Sequence, residues 1–373
     1  MTSSEWQSAR NILCIRLDYL GDVLMSTPAI HALRESIPGA RITLLTSAVG
    51  AAAARHIPDI DDAIVYHAPW LKHSEPHSRE EDLAMIETLA AKHFDAAVIF
   101  TVYSQSPLPT AMLCHLADIP LRLAYCRENP YTLLTHWVPE TEPHDRLRHE
   151  VRRQLDLVAT VGARCRDEHL VFCVPEADTQ RMSRMLDEIG IDKEKPWIVM
   201  HPGASAASRR YPPEYMAAAA RELTKHLPCR VLLTGSSDEV ELAERIAEQV
   251  PHAHSLAGQL QLSELAALIG LAPLLISNNT GPVHLAAALG TPVVDLYALT
   301  NPQHAPWKVA NRVLYHDVPC RFCYKSVCPE GHHRCLAEVP PSQVVGAALD
   351  LLRQNTNEIL ISPKHKRVRP IAG

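Results

Sequence analysis

The run Ser277-Asn278-Asn279-Thr280-Gly281-Pro282-Val283-His284-Leu285-Ala286-Ala287-Ala288-Leu289-Gly290-Thr291-Pro292-Val293-Val294 carries the groups in this chain best suited to holding an anion. The apolar stretch 271–276 ahead of it reads as a buried strand, Thr280 stands where an N-cap would, and an apolar helix follows. A helix start presents unpaired amides and the positive end of the dipole, and Gly281 lets a phosphate approach the main chain. Pro282 and His284 complete the junction. The plainer alternative is the capped strand-to-helix turn of any α/β protein.

A second junction of the same kind lies near the start. Residues 11–17 read as a strand, 18–22 as a turn and 23–34 as a helix, which places Asp22 at the carboxyl end of the first strand. Ligands of open α/β sheets bind along that edge, so Asp22 is the candidate base, with a turn-and-cap role as its alternative. The loop 200–214 offers small residues including Ser205, followed by Arg209 and Arg210, and a guanidinium fork can hold phosphate with two hydrogen bonds. The stretch 233–239 ends a strand with Gly235, two serines, Asp238 and Glu239, a pattern that suits either a ribose contact or a helix cap.

Strand-like runs alternate with helical ones in two blocks. The first has strands at 11–17, 41–46, 63–66, 96–100 and 121–124, with helices at 79–91 and 109–116. The second has strands at 197–200, 230–233, 274–277 and 292–296, with helices near 213–226, 238–249 and 262–271. The alternation predicts two parallel, helix-covered sheets of the α/β class. The boundaries expected are 1–175 for the first domain, 176–195 for a connector, 196–340 for the second domain, and 341–373 for a final helix and basic tail.

The chain has 373 residues, 47% of them hydrophobic, enough for two cores, and a formal net charge of −6 that favours neither nucleic acid nor an anionic membrane. No apolar run is long enough to cross a bilayer, and the first dozen residues lack a signal peptide's apolar stretch, so a cytoplasmic protein is expected. Its ten cysteines should then be largely reduced. Four of them, Cys320, Cys323, Cys328 and Cys335, fall within sixteen residues together with His332 and His333. Four thiolates suit a structural zinc or iron ion, although the spacing is not that of a standard finger. Reduced thiols without a ligand, or disulfides, are the alternatives. The remaining histidines are scattered, and the basic segment 363–369 reads as a terminal tail able to touch anionic lipid.

The elements I-R-L-x-x-L-G-D-V-L-x-x-x-P-A-I, H-P-G-A-S with a basic residue before Tyr-Pro-Pro, T-G-S-x-x-E, and S-N-N-T-G-P-V-H-L-A-A-A-L-G-T-P-V-V together resemble glycosyltransferase family 9 over about residues 11–350. The best-known members of that family are ADP-heptose:lipopolysaccharide heptosyltransferases of bacteria. The resemblance implies the GT-B fold, two Rossmann-like domains facing each other across a cleft, with acceptor held mainly by the first and donor by the second. It implies Asp22 as catalytic base, and it makes Ser205, Arg209, Asp238 or Glu239, Asn279, Thr280, Gly281, Pro282 and His284 the donor-binding set. Arg209 replaces a lysine of the family, and Asn279 stands where many relatives have aspartate.

The implied reaction is inverting transfer of a heptose or related sugar from an ADP-linked donor to a lipopolysaccharide core or other glycan, with no cofactor required. Cytoplasmic placement, peripheral contact with the inner membrane, and iron at the cysteine segment in some protein-glycosylating relatives are further implications. A GT-B nucleotide-sugar 2-epimerase, a protein-glycosylating heptosyltransferase and a catalytically silent nucleotide-binding protein are the alternatives. An epimerase would need several acid and base groups around the sugar, and Asp22 alone is well placed.

Overall fold

The computed structural model describes residues 3–71, 77–192, 195–298 and 301–361. The basic segment 363–369, part of the 66–79 loop and two positions of the expected connector lie outside the described residues. The chain divides into two compact units, Met1–Val171 and Phe172–Gly373.

In the first unit six parallel strands are ordered β3-β2-β1-β4-β5-β6: β1 Asn11–Arg16, β2 Arg41–Thr46, β3 Asp62–Val65, β4 Ala96–Ile99, β5 Leu121–Cys126 and β6 His136–Pro139. Six more in the second unit are β7 Trp197–His201, β8 Arg230–Leu233, β9 Ala253–Ser255, β10 Leu275–Asn278, β11 Val293–Leu296 and β12 Asn311–Leu314, ordered β12-β11-β10-β7-β8-β9. Renumbered within each sheet, both read 3-2-1-4-5-6, the doubly wound order. β1 and β4, and likewise β7 and β10, are central and buried on both faces, so their sequences are continuous apolar runs rather than alternating ones.

Sequence periodicity locates the central strands and the edge strand β3, and misses β6, β9 and β12. All three lie at or next to a sheet edge: β6 and β9 are terminal strands with exposed positions, and β12 is the opposite terminus. A strand with one neighbour buries less side chain, and the apolar signal weakens accordingly. The helix predicted at 79–91 is Arg79–Ala91, begun by a Ser78–Glu81 capping box. The span read as a connector is mostly the helix Glu176–Glu188. This helix packs in the second unit against Leu262–Leu271, with Arg181 paired to the buried Glu264 at 3.0 Å. Among the described residues no helix is long and apolar enough to cross a membrane.

The helix Gly281–Leu289 is buried along Pro282–Ala287, which is why its sequence is apolar on almost every side. It stops at Gly290, whose φ of +75° is left-handed, while a Cβ there would meet open space. Gly270 contrasts with it, since its backbone is right-handed and an added Cβ would make only ordinary contact with Leu289 at 3.7 Å. Gly290→Ala should therefore cost about 1 kcal/mol, from backbone conformation alone. Gly270→Ala should cost nothing or gain up to about 1 kcal/mol. Urea denaturation of both variants checks the pair, and equal losses would contradict it.

Candidate functional site

β1 ends on Arg16, whose side chain is fully buried. Its guanidinium reaches three carboxylates: Nε to Asp18 Oδ2 at 3.0 Å, Nη2 to Asp22 Oδ1 at 2.9 Å, and Nη1 to Glu150 Oε1 at 2.8 Å. Such a cation is costly to bury without anions beside it, and here the fork is divided among three, with Nε at ion-pair distance from Asp18 but without a hydrogen-bond partner. Asp22 lies in the first turn of the helix Leu20–Ser36, and its other oxygen accepts from the Tyr19 amide at 3.2 Å. Two fixed donors therefore orient this carboxylate at the carboxyl edge of β1, with 17% of its side chain exposed.

Glu150 begins the helix Glu150–Ala159, which packs on Leu20–Ser36, and it accepts from Gln154 Nε2 at 2.6 Å. Asp18 accepts from Gln105 Nε2 at 2.7 Å. Burial pushes the Asp18 carboxyl up despite Arg16, and neighbouring Asp22 and Glu150 add to the rise.

Gln105 also lines a recess of about 120 Å3 with Tyr103, Tyr125, Arg127, Glu128 and Glu140. It opens at the ends of β4 and β5, beside the strand-order reversal between β1 and β4. Buried Arg153 stiffens its floor: it pairs with Glu140 at 2.5 Å and Glu142 at 2.8 Å, and its guanidinium lies 4.4 Å from the Tyr125 ring centroid. Sequence reasoning singled out Asp22 alone from this neighbourhood. Arg16, a charge at the end of an otherwise apolar strand, was a legible signal for the cluster. Glu150, 134 positions away, left none.

The second unit builds its site at the matching place, between β7 and β10. Asn278 at the end of β10 ties the two loops together, accepting from the Tyr211 amide at 3.0 Å and donating to Pro202 O at 2.6 Å. Thr280 is the N-cap residue, but its side chain makes no capping bond. Pro282 has no amide, so the Thr280 and Gly281 amides are the main-chain donors at this corner. His284 is buried one turn along. Ser205 is exposed in the β7 loop, Arg209 ends the short turn Ala207–Arg209, and Arg210 Nε is spent on Ala204 O at 2.7 Å.

Glu239 and Asp238 diverge. Asp238 is exposed, whereas Glu239 turns inward, accepting from the Ser236 amide at 2.9 Å and lying 3.8 Å from His201. Its carboxylate occupies the space that a Cβ on Gly203 would need. Burial holds the His201 imidazole below its ordinary range, while Glu239 pulls the other way.

Asn279 faces away from the helix start. Its Nδ2 donates to Asp295 Oδ2 at 2.9 Å and to His304 O at 3.0 Å. Asp295, at the end of β11, is fully buried and pushed up to about 8 by burial, with Asn279 and the Arg209 charge acting in the opposite direction.

The four clustered cysteines, with His332 and Ser208, line one cavity of about 20 Å3. All are free thiols, and Cys320 Sγ is 3.7 Å from His332 Nε2. Among the described residues, however, no three His, Cys, Asp or Glu side chains are gathered as a metal would require. The arrangement therefore gives no support to a structural zinc or iron ion at the cysteine segment.

The family model for glycosyltransferase family 9 (heptosyltransferase) matches residues 83–334, more than half of the chain and parts of both units. The chain belongs to glycosyltransferase family 9. As a member it is an enzyme of sugar transfer, and the doubly wound pair of sheets is that family's GT-B architecture. It is 26% identical to lipopolysaccharide heptosyltransferase 2 of Salmonella typhimurium over 359 residues, 92% of this chain and 99% of that one. Its fold is similar to that of a family 9 glycosyltransferase from Veillonella parvula, with a TM-score of 0.78 at 23% identity, covering 92% and 98% of the two chains. It is also similar to E. coli ADP-heptose lps heptosyltransferase II, with a TM-score of 0.72 at 24% identity, covering 93% and 99%.

Asp295 makes stability depend on pH. The unfolded side chain releases its proton near pH 4, while the folded one holds it to about 8, so rising pH favours the unfolded state throughout that interval. Relative to Asp295→Asn, the wild type should lose stability between about pH 4 and about 8 and run parallel to the variant above that. Denaturant melts of both proteins across the range test it, and a pH-independent difference would contradict it.

Proposed function

We propose that the enzyme transfers a heptose, or a closely related sugar, from an ADP-linked donor to a lipopolysaccharide-core or other glycan acceptor, with inversion at the anomeric carbon. The observation that carries the reading is the Asp22 carboxylate, fixed by Arg16 and the Tyr19 amide at the ligand-binding edge of the first sheet. In direct displacement, one base removes the acceptor hydroxyl's proton while the sugar–phosphate bond breaks. Asp22 is that base, and the recess lined by Gln105, Tyr125 and Arg127 is the place for the acceptor alcohol.

The leaving diphosphate gains charge as the bond breaks. Arg209, the Thr280 and Gly281 amides and the positive end of the helix Gly281–Leu289 meet that charge, with His284 and Ser205 completing the pocket. Pro282 fixes the helix start. Glu239, turned toward Gly203, accepts from the ribose hydroxyls in preference to exposed Asp238. Asn279 contributes by holding Asp295 beneath Arg209 rather than by touching the sugar. The base and the diphosphate grip suffice for displacement, so the reading calls for no cofactor. The heptose donor is supported by relatives whose names describe ADP-heptose or lipopolysaccharide heptosyltransferases. Such a reaction belongs to the cytoplasm, where nucleotide sugars are made.

The test is to incubate purified protein with ADP-heptose and a panel of other nucleotide sugars, with a core acceptor, while following nucleoside diphosphate release. ADP-heptose should be turned over fastest. Asp22→Asn should lower turnover by about 10²–10⁴ while leaving ADP affinity unchanged, and full activity in that variant would remove the assigned base. Gly203→Ala should expel the Glu239 carboxylate and weaken ADP binding about tenfold, the worth of one or two hydrogen bonds. Unaltered affinity, measured calorimetrically, would free Glu239 from its ribose role.

A further inference from the structure

The cysteine-rich segment is absorbed neither by the sugar-transfer reading nor by a metal, yet it is bonded directly to the loop that carries Arg209. Ser208, the residue before Arg209, is buried and donates twice: its amide to Ser326 O at 3.1 Å and its hydroxyl to Lys325 O at 2.7 Å. Ser208 also forms part of the wall of the small cavity enclosed by Cys320, Cys323, Cys328 and Cys335. Burial raises the Cys335 thiol, and the charges that Cys328, Cys320 and Cys323 can carry add to the rise.

The segment does not hold this shape by local preference. Phe322, Tyr324 and His333 have φ of +60°, +53° and +47°, left-handed values that each cost a non-glycine residue about 1 kcal/mol or more. Contacts from outside must stabilise it, and the two Ser208 bonds and the bond from the His316 amide to Cys335 O at 2.8 Å are such contacts. By reciprocity the segment restrains Ser208. The Ala207–Arg209 turn is short: its N-cap residue Ala206 makes no side-chain capping bond, and among the described residues the Arg209 guanidinium makes no hydrogen bond.

We propose that Ser208 and the thiol-packed segment 320–335 form a clamp that positions Arg209 for the donor diphosphate, making Ser208 a positioning residue of the transfer reaction. Arg209 is tethered to the clamp through one peptide bond, while Arg210 is anchored on the other side to Ala204 O, so the turn is held at both ends. Pre-setting the guanidinium removes ordering that a diphosphate would otherwise have to impose on binding. The proposal rests on the reading that Arg209 grips the diphosphate.

The experiment is a double-mutant cycle on the full chain with ADP as probe, read by calorimetry, with folding checked by thermal melts. Ser208→Ala should weaken ADP binding about three- to tenfold, the worth of one hydrogen bond. Arg209→Ala should weaken it further, and adding Ser208→Ala to Arg209→Ala should change nothing more. Cys320→Ser/Cys323→Ser, which alters the clamp from the far side of the cavity, should show the same loss with Arg209 present and none with Arg209 removed. Normal ADP binding by Arg209→Ala would overturn the diphosphate assignment itself. A loss in Arg209→Ala accompanied by normal binding in Ser208→Ala, or by effects that simply add, would overturn the clamp alone.

Discussion

Where a parallel sheet reverses its strand order, the chains leaving two adjacent central strands turn to opposite faces, and a crevice opens that no sheet partner fills. Both sheets of this enzyme are wound in the same order, so the chain makes two such crevices, after β1 and β4 and after β7 and β10. The candidate base, the acceptor-side recess, the helix N-terminus and Arg209 all stand at one of them. The loops that form each crevice are tied by side chains, Gln105 to Asp18 in the first unit and Asn278 to Pro202 and Tyr211 in the second. These ties carry the buried polar groups that the reversal leaves without a strand neighbour.

The first crevice is organised by charge. Arg16 has no solvent to hydrate it, so the surrounding carboxylates are a requirement of folding as well as a resource for chemistry. Because Asp18 and Glu150 share the cation with Asp22, the candidate base is oriented before any substrate arrives. An ion cluster of this kind can support catalysis only if one member keeps contact with the outside, and Asp22 and Asp18 do so while Glu150 does not.

The second crevice is organised by main chain. Its candidate anion donors include main-chain amides of Thr280 and Gly281, and several side chains serve to hold loops: Asn278 bridges them, Arg210 closes one, and Asn279 is committed to Asp295 and His304 O. Asn279 donates to the buried Asp295 across a 2.9 Å hydrogen bond, which ties the start of this corner to β11.

Residue pattern alone determined the alternation of central strands and helices, the helix Arg79–Ala91 and the Thr280–Gly281 corner, and it placed Asp22 after the first strand, although the helix read from residue 23 begins at Leu20 and takes Asp22 into its first turn. All of these follow from local periodicity, capping and turn chemistry, which act over a few residues and so are written contiguously. The edge strands β6, β9 and β12, the Arg16–Glu150 pair, the inward turn of Glu239 beside an exposed Asp238, and the bond from Ser208 to the cysteine segment were decided by tertiary structure. Each depends on groups brought together from distant parts of the chain, 134 positions apart for Arg16 and Glu150 and 117 for Ser208 and Lys325. No local spacing encodes such a meeting, because packing of the whole unit sets which buried polar atoms must find one another.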